Sequence, residues 1–286
     1  MTGPVRLALS SPIVVRFPGQ YSPWEADAGM AELARIAETA DRLGFDHLTC
    51  SEHTAVPASV AASRGATYWD PLATLAYLAA RTTRIRLATS VLVLPYHHPL
   101  EIAKRYGTLD RISGGRVVLG VGVGSLRAEF DLLGAIWEGR GERADDAIAA
   151  LRAAFGVREP DYAGTHYSFS GLIVEPAGVQ SRVPIWVGGR TMRSLRRAVR
   201  FGDGWMPFGL PMAELKTMLS QVDSPPGFEV VLPTGPLDPL GEPDRVTRRL
   251  AALADAGATL AGCAVTANSA EHYCDQLAAL AELANR

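Results

Sequence analysis

The sequence predicts an α/β protein folded as one (β/α)8 TIM barrel over residues 1–286, and three observations carry that expectation. Short apolar segments alternate with Ala-rich amphipathic ones along the chain. The alternation occurs eight times, as a closed parallel barrel requires. A length of 286 residues, 48% of them hydrophobic and 20% charged, suits one large core. An open doubly wound sheet would accommodate part of this pattern, but it needs a switch point and usually fewer strands.

Taken in order, the first strand is read at Val5–Ser10, and a loop containing Pro18–Trp24 leads to a helix over 26–43. Leu43-Gly44-Phe45 closes that helix as a C-cap. The second strand, His47–Glu52, is followed by the long loop Pro57–Trp69 and by Asp70-Pro71, an N-cap with proline at the first helical position of 71–82. Strands at Arg86–Val91 and Val117–Gly122 precede helices at 98–112 and 140–155. The rhythm then breaks at Glu159–Val183, rich in Pro, Gly, Tyr and Ser. There Gly164–Phe169 and Leu172–Pro176 read as an inserted hairpin or lid before the fifth strand. The remaining strands, Pro184–Gly189, Asp203–Phe208, Phe228–Pro233 and Thr259–Thr266, alternate with helices at 191–201, 211–222, 243–256 and 269–284. Loops after the strands roof the C-terminal face, where barrel active sites lie.

A net charge of −2 and a pI near 6.3 argue against nucleic acid as the main partner. No run of apolar residues reaches the ~18 needed to span a membrane. The N-terminus lacks a signal-peptide pattern, so a cytoplasmic protein acting on a small molecule is expected. The three cysteines, Cys50, Cys263 and Cys274, suit neither a disulfide framework nor a zinc site and read as reduced packing residues. His97-His98 has no evident carboxylate partner in the sequence, and no metal site is expected.

The strand ends hold the candidate chemistry. Ser51-Glu52-His53 places a carboxylate and an imidazole at the end of the second strand. His53 is then an acid/base or donor; the plainer alternative is a loop in which both residues only satisfy backbone groups. Gly120-Val121-Gly122-Val123-Gly124-Ser125 removes side chains where a flat ring or another backbone must come close. It is not a dinucleotide fingerprint, because the last glycine of Gly-x-Gly-x-x-Gly would fall at Arg127. Gly188-Gly189-Arg190-Thr191, before a helix, reads as a phosphate turn rather than a turn shaped by geometry alone. Arg193, Arg196, Arg197 and Arg200 share a helix face, either solvated or facing an anionic cofactor tail.

These segments together resemble the luciferase-like family of barrel oxidoreductases. The resemblance runs through Leu43-Gly44-Phe45-Asp46, Ser51-Glu52-His53, Asp70-Pro71, Arg86–Pro95, Ala103-Lys104, Leu109–Arg116, Gly120–Gly124, Pro184–Gly189 and Gly202-Asp203-Gly204-Trp205. It is closest to members using the deazaflavin coenzyme F420. The resemblance implies catalytic roles for His53, near C5 of the ring, and for Glu52, which would set its tautomer. It implies a cis peptide at Ser90–Val91 backing the ring, with Gly122, Gly124 and Ser125 bordering it and Gly188, Gly189, Arg190 and Thr191 holding the phosphate. Two departures stand out: Glu52 replaces the usual aspartate, and Ser125 replaces the glutamate of sugar-phosphate dehydrogenases. The expected activity is F420-dependent hydride transfer to or from a small organic substrate. The alternatives are a reduced-FMN monooxygenase or a cofactor-binding barrel with little turnover. The family often dimerises, so a homodimer is possible.

Overall fold

The computed structural model describes residues 5–285 and shows an eight-stranded parallel barrel ringed by helices. Its strands are β1 (Arg6–Leu9), β2 (His47–Cys50), β3 (Arg86–Thr89), β4 (Val117–Gly122), β5 (Ile185–Gly188), β6 (Gly204–Met206), β7 (Glu229–Leu237) and β8 (Leu260–Val265). Parallel pairing of β1 with β8 (Arg6 opposite Leu260) and of β3 with β4 (Leu87 opposite Val117) closes the ring. The outer helices are α1 (Met30–Leu43), α2 (Pro71–Arg81), α3 (Pro99–Ser113), α4 (Arg140–Ala154), α5 (Met192–Phe201), α6 (Met212–Leu219), α7 (Pro243–Asp255) and α8 (Ala270–Ala284). Among the described residues no helix is long and apolar enough to cross a membrane.

Each predicted strand and helix is present, with shifted ends. Strand β2 stops at Cys50, so Ser51-Glu52-His53 belongs to the mouth loop. Strand β3 stops at Thr89, the Ser90–Val91 peptide is cis, and a two-residue strand at Leu92–Val93 resumes beside β4. Strand β6 ends at Met206 rather than Phe208. Two short helices, Ala58–Arg64 and Arg127–Leu133, lie in segments where the sequence predicts only loop. Seven residues give too few turns for a 3.6-residue period to show. The insertion does form a hairpin, Tyr162–Ala163 with Ser168–Phe169, while Leu172–Pro176 is irregular. Asp146 on α4 anchors it, accepting from Tyr162 Oη (2.6 Å) and the His166 and Tyr167 N–H groups.

Because strand side chains alternate, every second residue points into the barrel. The bottom is closed by charge: Arg6 and Arg86 both pair with Asp46 and Glu229, and Trp186 Nε1 donates to Glu229 at 2.8 Å. Above it Ala88, Val118, Trp186, Met206, Val231 and Leu260 fill the interior. At the top the inward positions are Ser10, Ser51, Ser90, Gly120, Gly122, Gly188 and Gly262. The inward positions at the top are thus small, whereas the layers below carry bulky side chains.

Burial by itself would raise the Asp46 pKa. The His47 hydrogen bond (2.9 Å) and the Arg86 charge outweigh it and hold the group at about 2. His47, fully buried, is pushed down despite Asp46 and stays neutral. A carboxylate lowered from 3.8 to about 2 stabilises the fold above its unfolded pKa and loses that contribution as pH falls through the folded value. Asp46→Asn should therefore cost ~2 kcal/mol in urea unfolding near neutral pH. The cost should be constant down to pH ~5 and shrink below pH ~4; a penalty independent of pH would refute this account.

Candidate active site

Strand β2 delivers Glu52 and His53 to the mouth, but their side chains part. Glu52 accepts the Val93 N–H (2.6 Å) and pairs with His97 Nε2 (2.7 Å), tying the loop after β3 to the end of β2. Burial would lower the His97 pKa; the Glu52 hydrogen bond and charge reverse this and raise it. Glu52 therefore does not set the tautomer of His53, and His97 does have a carboxylate partner. Both expectations from the sequence are corrected here.

The partner of His53 is Glu129, on the short helix after β4. His53 Nδ1 lies 2.8 Å from Glu129 Oε2, and the carboxylate side chain has no exposed surface. It accepts three further hydrogen bonds, from Tyr96 Oη (2.9 Å), Thr54 N–H (2.5 Å) and Ala55 N–H (3.3 Å). Burial would raise the Glu129 pKa, but the bonds from His53 and Tyr96 hold it below the usual carboxylate range. Burial and the adjacent carboxylate push the Tyr96 phenol up, so it remains a donor. The His53 ring meets Tyr68 edge-on at 4.5 Å. Its Nε2 has no hydrogen-bond partner among the described residues. The imidazole thus has one nitrogen fixed by a buried anion and the other free to exchange a proton.

Strands β3, β4 and β5 bring the predicted ring-side residues together. A Cβ on Gly122 would lie 2.6 Å from Val91 Cγ2, and one on Gly188 2.7 Å from Val91 Cγ1. Val91 is therefore seated between two glycines. Ser90 O accepts from Ser51 Oγ at 2.6 Å. Gly124 (φ +76°) has its bare side filled by Phe130, whose Cε2 would be 2.6 Å from an added Cβ. Ser125, exposed, receives Arg64 Nη1 at 3.1 Å. Gly122, the last residue of β4, and Gly124 just after it thus make room for Val91 and Phe130.

At β5, Gly189 has φ +131° and a Cβ there would lie 2.7 Å from Ser194 Cβ, so a side chain at this position is excluded on both counts. Thr191 caps α5, its Oγ1 accepting from Ser194 N–H at 3.3 Å. Arg190 is exposed, 6.0 Å from the Phe208 ring centroid. Of the α5 arginines, Arg193, Arg196 and Arg200 are exposed. Arg197 is buried, bonded to Asp145 and to Gly141 O (3.0 Å), and belongs to the α4–α5 packing rather than to any tail site. Burial pushes the thiols of Cys50 and Cys263 up to about 12, so neither is a nucleophile.

Glu129 and Tyr96 were invisible to sequence reasoning. Glu129 stands 76 residues from His53, two residues before a second acid, Asp131, on a helix too short to show a face. The only signal was a carboxylate one turn into the chain leaving the glycine-rich strand.

A barrel with a carboxylate-held histidine at its mouth defines an acid/base site of the kind enzymes use, and comparison with known proteins places it among oxidoreductases. The luciferase-like monooxygenase family profile matches residues 11–226, and the chain belongs to that family. An uncharacterised protein of Mycobacterium tuberculosis is 31% identical over 215 residues, covering 71% of this chain and 74% of the relative. Among solved structures, an F420-dependent secondary alcohol dehydrogenase with an F420–acetone adduct superposes with a TM-score of 0.76. It is 14% identical and covers 99% of this chain and 100% of that one. Monooxygenase RslO1 from Streptomyces bottropensis gives a TM-score of 0.73 at 22% identity, covering 97% and 98%. At these identities the two structures show a shared fold, one reached by F420 enzymes and monooxygenases alike.

If Glu129 organises the mouth, Glu129→Gln should release the Thr54 and Ala55 amides. Hydrogen exchange there should speed up about tenfold or more, while β8 amides stay protected and stability falls by ~1–3 kcal/mol. Unchanged exchange at Thr54 would show that the loop is held by other contacts.

Proposed function

We propose that the protein is an F420-dependent oxidoreductase moving a hydride equivalent between the deazaflavin and a small organic substrate. The observation that carries this reading is His53, fixed through Nδ1 by buried Glu129 and open at Nε2, in a mouth lined by serine and glycine.

The residues present fit such a cofactor. The upper layer of the barrel carries only small inward residues, and Val91, seated between Gly122 and Gly188, supplies an apolar wall against which a flat ring would lie. The Gly188–Thr191 turn at the start of α5 suits a phosphate, because a helix N-terminus attracts anions and the bare Gly188 and Gly189 let one approach the backbone. Arg190 and Arg193, both exposed, are the cations nearest that turn in sequence and would meet the carboxylates of an F420 tail. Bound there, the deazaflavin supplies two-electron chemistry at carbon.

The chain's own residues supply the proton. With Nδ1–H directed at Glu129, Nε2 of the neutral imidazole accepts a proton from a substrate hydroxyl in the oxidising direction, and the imidazolium returns it in the reducing one. Glu129 stays ionised because its pKa is held low, so it stabilises the imidazolium without taking the proton. Tyr96 and the Thr54 and Ala55 amides keep that carboxylate in place.

Spectral titration with F420 and FMN in both redox states tests the assignment. F420 should bind at least about tenfold more tightly than FMN. Tight binding of FMN alone would make the protein a reduced-flavin monooxygenase instead. Replacing Arg190 and Arg193 together by Ala should weaken F420 by about three- to tenfold at low salt and less at high salt, with FMN little changed. Equal losses for both cofactors would place these arginines outside the tail site. Substitution at Gly189 is a poor probe, since any side chain there collides with Ser194.

A further inference from the structure

The loops after β1 and β2 meet over the mouth. Val15 and Tyr68 form an antiparallel bridge, Trp69 N–H donates to Val14 O (3.0 Å) and Arg16 N–H to Thr67 O (3.3 Å). The first loop is held in a demanding conformation: Ile13, buried and β-branched, has φ +73°, and its N–H is bound by buried Glu25 (2.8 Å). Left-handed backbone at a β-branched residue persists only where the surroundings enforce it, and such positions cluster at ligand clamps.

This pairing brings two guanidinium-bearing residues together. Gly65 packs so closely on Arg16 that an added Cβ would lie 2.1 Å from Arg16 O, which sets Arg16 against Arg64 in the backbone. Both are half-buried, and among the described residues neither has a carboxylate within ion-pair distance. Arg64 donates only to the neutral Ser125 hydroxyl, and Arg16 Nε is buried with no partner at all. The loop's own acid cannot serve, because Glu25 is committed to the Ile13 and Ser22 N–H groups. Arg6, Arg86, Arg116 and Arg197, by contrast, each bond carboxylates or carbonyls. Among the described residues other buried donors, such as Trp24 Nε1 and Arg152 Nε, are also unpaired. What sets Arg16 apart is a second guanidinium, that of Arg64, on the adjoining loop with no carboxylate partner of its own, and an anion would serve both. The position is close to the chemistry: Tyr68 Oη donates to Arg64 O (2.8 Å), while its ring packs on His53.

We infer that Arg16 and Arg64 form an oxyanion subsite for a carboxylate or phosphate carried by the substrate, making that substrate a small organic acid. The inference rests on the oxidoreductase reading of the same mouth. Arg16 follows β1, which stands half-way round the eight-strand ring from β5, where the cofactor phosphate is proposed to sit. An acid group held there would leave the rest of the substrate beside His53 Nε2. Planar guanidinium groups match carboxylate and phosphate oxygens two at a time, which point charges do not.

The test uses protein loaded with whichever of F420 and FMN it binds. Benzoate, phenyl phosphate and neutral benzamide are titrated against the cofactor absorbance, with calorimetry on unloaded protein alongside. At least one of the two anions should bind saturably and about tenfold more tightly than benzamide. Arg16→Gln and Arg64→Gln should each weaken that anion by about fivefold or more, with cofactor affinity within about twofold of wild type and unchanged circular dichroism. Anions binding no better than benzamide, or binding both variants as they bind wild type, would overturn the subsite. Loss of cofactor affinity in the variants would assign the arginines to the cofactor and overturn the substrate assignment. Failure to bind either cofactor would instead defeat the proposed function, and calorimetry would still report on the anion.

Discussion

A carboxylate with no exposed surface has to be held by donors, and the mouth of this barrel is organised around meeting that demand for Glu129. Left bare, a buried charge would cost several kcal/mol or take up a proton. Here four hydrogen bonds converge on it, from His53, Tyr96, Thr54 and Ala55. These donors come from the loops after β2 and β3, while Glu129 follows β4, so one anion fixes three neighbouring loops. Glu52 makes a second tie between the first two, through Val93 and His97. Because both acids are fully engaged, Nε2 of His53 is the atom of this cluster left to exchange a proton with a substrate.

The opposite end of the molecule follows the same rule with different residues. Arg116 uses its whole guanidinium on Ser113 O, Thr82 Oγ1, Ile85 O, Ala79 O and Thr82 O, satisfying the C-terminal carbonyls of α2. Asp110 accepts from Val179 N–H, Gln180 N–H and Gln180 Nε2, binding the end of the insertion to α3. Asp203 accepts from Ile185 N–H and pairs with Arg152 and Arg182. These are the residues of the Leu-Asp-x-x-Ser-Gly-Gly-Arg and Gly-Asp-Gly-Trp segments. Their work is structural: they satisfy buried backbone groups where helices hand over to strands.

That division explains what could be read from the sequence. The eight strands, the eight outer helices and the cis peptide at Ser90–Val91 were legible, since periodicity and the resembling segments report the barrel and its joints. His53 was legible because it ends a strand. Its partner was not: proximity in sequence favoured Glu52, one residue away, over Glu129, 76 residues away. Adjacent side chains leaving a strand point apart, so Glu52 and His53 were poorly placed to bond from the start. Arg197 misled for a related reason, because helical spacing groups it with Arg193 and Arg200 but does not say that Asp145 lies beneath it.

Gly122, at the end of β4, and Gly124 just beyond it show how the two ends are joined. Each could have been read as a bare floor for a ring, yet the volumes they vacate are filled by Val91 and Phe130. Phe130 follows Glu129 in the chain, so the close approach permitted at Gly124 seats the short helix that carries the carboxylate. Its ring also meets Tyr96 edge-on at 4.8 Å and Trp137 at 5.0 Å, packing one of the other donors to that carboxylate. A side chain at Gly124 would displace Phe130, and with it the anchor of His53. The absent atoms at Gly122 and Gly124 therefore serve the chemistry indirectly, by letting apolar neighbours hold the polar ones in register.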